Sequence, residues 1–283
     1  MASKNTTLLR YPGGKSKMTL FIKELLTKNK MTENVTYVEP FAGGAGIALN
    51  LLIDEDVKNV IINDKDISVY AFWWALLNET NKFIEKILQI NVDMEEWYKQ
   101  REIQKNKEKE DLFDLGFSTF FLNRTNRSGI ISAGPIGGLN QSGKWKIDAR
   151  FKKLELLSRI QKIVEKKGDI KLFNKDAVEF LIQDVSKLPI KNVLIYLDPP
   201  YYNKGKQLYM NFFKHEDHQK LEKVIEKLQH NWVVSYDDTP EIREIYKEYI
   251  PFSYQLNYSL ASASKGNEVM YCSENIQLPR MIS

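Results

Sequence analysis

The chain is poor in the residues that build covalent or metal frameworks. Its 283 residues include one cysteine, Cys272, which excludes an internal disulfide and fits a reducing compartment. The three histidines, His215, His218 and His230, have no second cysteine or His cluster to complete a site, so no metal is expected. No apolar run approaches the ~20 residues that span a bilayer, and Met1–Arg10 has no apolar core of the signal-peptide kind. Internal repeats and low-complexity stretches are absent as well. Together these absences predict a soluble protein of the cytoplasm with no membrane partner, and a 43% hydrophobic composition is ordinary for a globular chain.

Net charge is also small, at +4, but it is unevenly spread. Asn123–Lys171 contains twelve Lys/Arg against four Asp/Glu, a local balance of +8 that leaves the rest of the chain at −4. Such a segment suits phosphates as well as it suits a solvated helix face. The densest charge run, Lys99–Asp111, mixes both signs and reads as an exposed helix or connection.

Short apolar runs alternate with helical patterns over much of the chain. Thr36–Val38, Val60–Ile62, Ile170–Phe173, Val193–Leu197 and Trp232–Ser235 read as buried parallel strands. Helices are expected around Gly46–Ile53, Ser68–Leu77, Ala177–Ile182, Glu216–Leu228 and Glu241–Tyr249. The alternation predicts a doubly wound α/β sheet. Tyr254–Leu260 and Glu268–Ser273 follow as an antiparallel hairpin at its end. The middle breaks the pattern: Asn78 to about Gln104 is helical, and Asn123–Phe151 is rich in Gly, Asn and Arg. An inserted domain over 76–155 is therefore expected, within a catalytic domain made of 1–75 and 156–283.

Four motifs carry chemistry. Glu39-Pro40-Phe41-Ala42-Gly43-Gly44-Ala45-Gly46 joins a strand to a helix through a Gly-rich turn, the arrangement by which α/β sheets hold nucleotide-like ligands. It is not the dinucleotide fingerprint, because Leu49 occupies the third glycine position. Asp64 ends the next strand, where a carboxylate can accept ribose hydroxyls. Asp198-Pro199-Pro200-Tyr201 directly follows the apolar strand Val193–Leu197. Its carboxylate, a carbonyl aimed by the rigid Pro-Pro backbone and an aromatic face suit a planar exocyclic amine, whose two hydrogens need two acceptors. Arg10-Tyr11-Pro12-Gly13-Gly14-Lys15-Ser16 is a Gly-rich turn before a helix from about Ser16 to Thr27; it is not a P-loop, since Leu9 stands where the first glycine belongs.

In content and order these motifs resemble the Dam-like family of DNA adenine-N6 methyltransferases, of the alpha group with Asp-Pro-Pro-Tyr. The resemblance covers most of the chain. It implies a Rossmann-like methyltransferase sheet, S-adenosylmethionine as methyl donor with S-adenosylhomocysteine as product, and a mostly helical DNA-recognition insert. Residue by residue it implies Tyr11, Lys15, Glu39, Phe41, Ala42, Gly43, Asp64, Asp176 and Asp198 around the cofactor, with Phe180 a weaker match. It assigns Asp198, Pro199 and Tyr201 to catalysis, and Ser235-Tyr236-Asp237 loosely to the later strand end near the flipped base. Asn123, Arg124 and Arg127 match an Asn-Arg segment, and Asn140–Phe151 matches a β-hairpin that places Asn140, Lys144, Lys146 and Arg150 near DNA. Gly134-Pro135-Ile136-Gly137-Gly138 departs from the family pattern, so no recognition sequence is carried over.

The expected reaction is methyl transfer to the N6 amine of a flipped adenine in duplex DNA. The alternatives are an RNA-adenine or protein-glutamine amide methyltransferase, and a catalytically silent DNA-binding relative. Double-stranded DNA is the expected partner, in a bacterial nucleoid or from a phage gene. A cognate restriction endonuclease acting separately stays open, and nothing in the sequence requires more than a monomer.

Overall fold

The computed structural model describes residues 6–10, 16–203, 213–258 and 264–280. By their internal contacts they form two compact units, one drawn from Gly13–Lys65 and Asp169–Ser283, the other from Thr6–Pro12 and Asp66–Gly168.

The first unit is built on a seven-stranded sheet. Its strands are β1 (Thr36–Glu39), β2 (Asn59–Asn63), β3 (Ile170–Phe173), β4 (Val193–Leu197), β5 (Asn231–Asp237), β6 (Phe252–Tyr258) and β7 (Ser264–Cys272), in the order β3-β2-β1-β4-β5-β7-β6. β1 to β5 are parallel, and β7 runs antiparallel to both β5 and β6. This is the expected doubly wound sheet with its terminal hairpin. All five residues of β4 are buried, as a strand covered on both faces requires. Val38, Ile195, Leu197, Leu221, Trp232, Val234 and Tyr271 meet in one core. Strand order reverses between β1 and β4, which makes their carboxyl ends the switch point of the sheet.

Helices α1 (Ser16–Lys28) and α2 (Gly46–Ile53) belong to this unit. The other unit contains α3 (Ile67–Asn78), α4 (Thr80–Gln89), α5 (Met94–Lys105), α6 (Leu112–Thr125) and α7 (Lys153–Glu165). The expected insert began at 76, but α3 and α7 both lie in this helical unit. Asp66, Asp93 and Asp111 each cap the helix they precede, accepting from the amides of Ser68, Glu96 and Asp114. α6 is buried along most of its length and lies against α3, with Phe72, Phe83, Phe117 and Phe120 in mutual ring contact. Gly116 lets the two backbones approach.

The expected β-hairpin over Asn140–Phe151 is not formed; the segment consists of turns and a short 3-10 turn, Ile147–Arg150. Gln141 bonds across this turn: its amide donates to the carbonyls of Ile136 and Gly138 and accepts from the Ile147 amide, which is thereby taken from strand pairing.

The first unit is completed by α8 (Ala177–Gln183), α9 (His215–Ile225) and α10 (Pro240–Ile245). On α9, His218 is fully buried, with Nδ1 3.2 Å from the Tyr236 hydroxyl and its ring 5.3 Å from those of Tyr202 and Phe213. Burial pushes the imidazole down to about 4; Asp217 opposes this and His215 adds to it. The unfolded chain therefore takes up a proton near pH 6.5 that the folded chain refuses until about pH 4. Stability is lost as pH falls through that window. We expect unfolding in urea to show a loss of order 2 kcal/mol between pH 7 and pH 4.5. His218→Gln should flatten that dependence, and an equal slope in the variant would count against His218 as its source.

Candidate functional site

Val38 of β1 pairs with Ile195 of β4, so the Glu39–Gly46 and Asp198–Tyr201 loops leave neighbouring strand ends at the switch point. In the first loop Gly43 and Ala45 take left-handed backbone angles, with φ of 48° and 44°. Gly43 does so without a Cβ penalty. Ala45 precedes α2 but has no side chain to cap it, and Glu39 takes over: its Oε1 accepts from the Ala48 amide at 3.2 Å. Ala42 donates its amide to Asn63 O, and Phe41 packs edge-on to Phe213.

Asp64 and Asp176 sit at the neighbouring strand ends. Asp64 Oδ2 accepts from the Gly43 amide at 2.8 Å, tying the tip of β2 to the Gly-rich loop. Asp176 caps α8 by accepting from Val178, and its other oxygen takes Lys65 Nζ at 3.0 Å. Burial works against its charged form, but Lys65 and the Val178 and Glu179 amides outweigh it and hold the carboxyl below its ordinary range. Asn63 was not anticipated. Its amide donates to Pro40 O and Lys175 O and accepts from the Lys175 amide, stitching these loops together. Phe180 is buried below, against Phe173. Tyr11 and Lys15, expected beside this crevice, lie outside the described residues.

At the second loop Asp198 is half-buried and Pro199 buried. Ser235 Oγ donates to Asp198 Oδ1 at 3.2 Å and lies 2.9 Å from the Tyr196 hydroxyl. Serine has one proton, so Tyr196 is the donor to Ser235, and a directed chain ends on the carboxylate. Tyr201 donates to Glu268 Oε1 at 2.7 Å. Burial, then the Glu268 charge, push this phenol far above its ordinary pKa, so it remains a donor. Asp237 accepts the backbone amides of Tyr202 and Asn203. Sequence reasoning placed Ser235 and Asp237 only loosely and did not single out Glu268, because strand spacing does not say which turn a strand residue will meet.

The residues expected at DNA divide. Arg127, Asn140, Lys144, Lys146 and Arg150 are exposed, and Trp145 stands 67% exposed between the two lysines. Asn123 and Arg124 are not on the surface, at 3% and 6% exposure. Asn123 spends its amide on the backbone, accepting from Arg10 N–H and donating to Arg10 O and Gly129 O. It holds the N-terminal segment against α6 and has no donor left for a phosphate. Arg124 is different: its buried Nε has no partner among the described residues. Burial, then the charges of Arg159, Arg10 and Arg150, push it down to about 9, with Glu155 opposing. The guanidinium still carries its charge at neutral pH, in a cluster where Arg10, Arg150 and Arg159 outweigh Glu155.

Comparison with known proteins decides what these strand ends belong to. The profile of the D12 class N6 adenine-specific DNA methyltransferases matches residues 11–260. The chain belongs to that family. It is similar to the Type II methyltransferase M.MjaIII of Methanocaldococcus jannaschii, at 27% identity over 78% of this chain and 79% of the relative. It is also similar to the Type II methyltransferase M.CviBI of Paramecium bursaria Chlorella virus NC1A, at 23% identity over 83% and 86%. Among solved structures it is similar to the rRNA methyltransferase aviRa of Streptomyces viridochromogenes, with a TM-score of 0.45 and 12% identity over 97% of this chain and 94% of that one. The protein is thus an adenine-specific DNA methyltransferase of the D12 class. No described helix is long and apolar enough to cross a membrane, and among the described residues no group of three or more His, Cys, Asp or Glu is placed to hold a metal.

Proposed function

We propose that this D12-class enzyme uses S-adenosylmethionine to methylate the N6 amine of an adenine flipped out of duplex DNA. The observation that carries the reading is the pairing of β1 with β4, which puts the Gly-rich loop beside an Asp198 carboxylate oriented by Ser235. The acceptors fit the donor molecule: a sulfonium, a ribose diol and an adenine amine all call for oxygen acceptors, and Glu39, Asp64 and Asp176 stand at successive strand ends. When bound, S-adenosylmethionine supplies an electrophilic methyl group. Asp64 accepts from its ribose hydroxyls and Asp176 from its adenine amine, while the Phe41–Gly43 backbone and Glu39 hold its methionine end.

At the target, Asp198 and the Pro199 carbonyl accept the two N6 hydrogens. This withdraws the lone pair from the ring and directs it for in-line transfer. Tyr201 offers its ring face to the base, which leaves the duplex at a cost of a few kcal/mol. Positioning and electrostatic stabilisation of the developing ammonium account for the rate. The surplus proton passes to Asp198 and then to solvent. The test is single-molecule sequencing of DNA from cells expressing the protein. Modified adenine in one short motif, absent with Asp198→Ala, supports the reading; a folded enzyme that leaves no modified adenine overturns it.

In this reading Arg124 receives a DNA phosphate between Arg10, Arg150 and Arg159. A buried cation crowded by three like charges is unfavourable for folding, so Arg124→Met should leave the melting temperature unchanged or raised. It should weaken duplex binding and lower the salt slope of affinity by about one. Anisotropy titrations across salt concentrations check this; a fallen melting temperature with unchanged DNA affinity would make Arg124 a structural residue only.

A further inference from the structure

Asp237 and Glu268 face each other as a cross-strand pair on β5 and β7. Both are buried, at 8% and 2% exposure. Like charges directly opposite on a sheet are unfavourable, and burying them is more so. An apolar pair would make a more stable strand pairing here, so the acidic pair calls for another explanation.

Their partners supply one. Asp237 takes the Tyr202 amide on Oδ1 at 2.8 Å and the Asn203 amide on Oδ2 at 3.0 Å. Glu268 takes the Tyr201 hydroxyl on Oε1 at 2.7 Å and the Tyr254 hydroxyl, from β6, on Oε2 at 2.6 Å. Three consecutive residues after Pro200 are thus gripped by one pair of carboxylates, two by their backbone and one by its ring substituent. A phenol held at its oxygen cannot swing about its Cα–Cβ bond, and the two anchored amides fix the backbone at Tyr202 and Asn203.

We propose that Asp237 and Glu268 are positioning residues for methyl transfer: Glu268 sets the ring plane of Tyr201, and Asp237 fixes the backbone after it. The Asp198–Tyr201 turn then meets the adenine in one preset geometry. This rests on the reading of that turn as the site of methyl transfer. It also gives β7 a task, since its register with β5 sets Glu268 opposite Asp237.

The experiment follows single-turnover transfer of labelled methyl from S-adenosylmethionine to plasmid DNA from a host lacking adenine methylation. Wild type is compared with Asp198→Ala, Glu268→Gln, Glu268→Ala, Asp237→Asn, Tyr201→Phe and the Glu268→Ala/Tyr201→Phe double variant. We expect Glu268→Ala and Asp237→Asn to slow transfer by about 10²-fold, the order that misplacement of reacting groups produces. Glu268→Gln, which keeps the side-chain volume and one acceptor, should recover part of the rate. Affinities for cofactor and plasmid should stay near wild type. The double variant should be no slower than the slower single one, because both changes remove the same contact. Losses that multiply in the double variant would overturn the proposal, as would rate losses matched by equal losses of cofactor binding. An Asp198-dependent rate indifferent to Glu268 and Asp237 overturns this proposal alone. An Asp198→Ala enzyme as fast as wild type overturns the parent reading and this one with it.

Discussion

Asp198→Ala is expected to lower single-turnover methyl transfer by about 10³-fold or more, the range seen when a group stabilising the transition state is removed. The carboxylate is one of two acceptors proposed for the N6 hydrogens, and a methyl side chain can neither accept a hydrogen nor take up the surplus proton. Folding should be little affected. The residue is half-buried, and its bond from Ser235 is replaceable by water, so the expected loss is about 1 kcal/mol. Cofactor affinity, followed by titration calorimetry, should change little, because Glu39, Asp64 and Asp176 are untouched. Asp198→Asn keeps one acceptor oxygen and should be the less damaging change. Near-wild-type turnover by Asp198→Ala would remove the residue from its role.

The largest expected effect on stability is at Gly116. An added Cβ would lie 2.2 Å from Ala71 O, 2.6 Å from Ala71 C and 2.9 Å from Phe72 N. All three are backbone atoms of α3, so no side-chain rotation relieves the clash and the helices must separate. The aromatic cluster beside this contact, Phe72 of α3 with Phe120 and Phe83 of α4 with Phe117, loses its fit at the same time. Alanine gains about 1 kcal/mol over glycine in an open helix, but overpacking a core outweighs that, and a net loss of roughly 3 kcal/mol is expected. Gly168→Ala is the control, since nothing lies within 4 Å of its Cβ position. Urea unfolding of both variants measures the difference. A Gly116→Ala protein as stable as Gly168→Ala would mean that α3 and α6 are not so closely packed.

Much of this protein was legible in its residues. Apolar runs such as Val193–Leu197 are strands because both faces are buried, and that demand is local. The turn chemistry of Gly43 and the Asp-Pro-Pro-Tyr step at Asp198 are local too, so a ligand-holding loop and the resemblance to the adenine-N6 methyltransferases were readable without a structure. Long-range pairing was not. Asn123 and Arg124 read as a polar pair suited to DNA, yet Asn123 meets the backbone of Arg10, 113 positions away, and becomes part of the fold. Gln141 has no local signature, yet its side chain takes the Ile147 amide inside the segment expected to form a hairpin. Glu268 has no local signature at all, because its role depends on a hydroxyl 67 positions earlier. Sequence by itself determined what each segment prefers and which chemistry its side chains can perform. The tertiary structure decided which buried polar group satisfies which, because an unpaired donor or acceptor inside a protein is costly and its partner is set by the approach of distant strands.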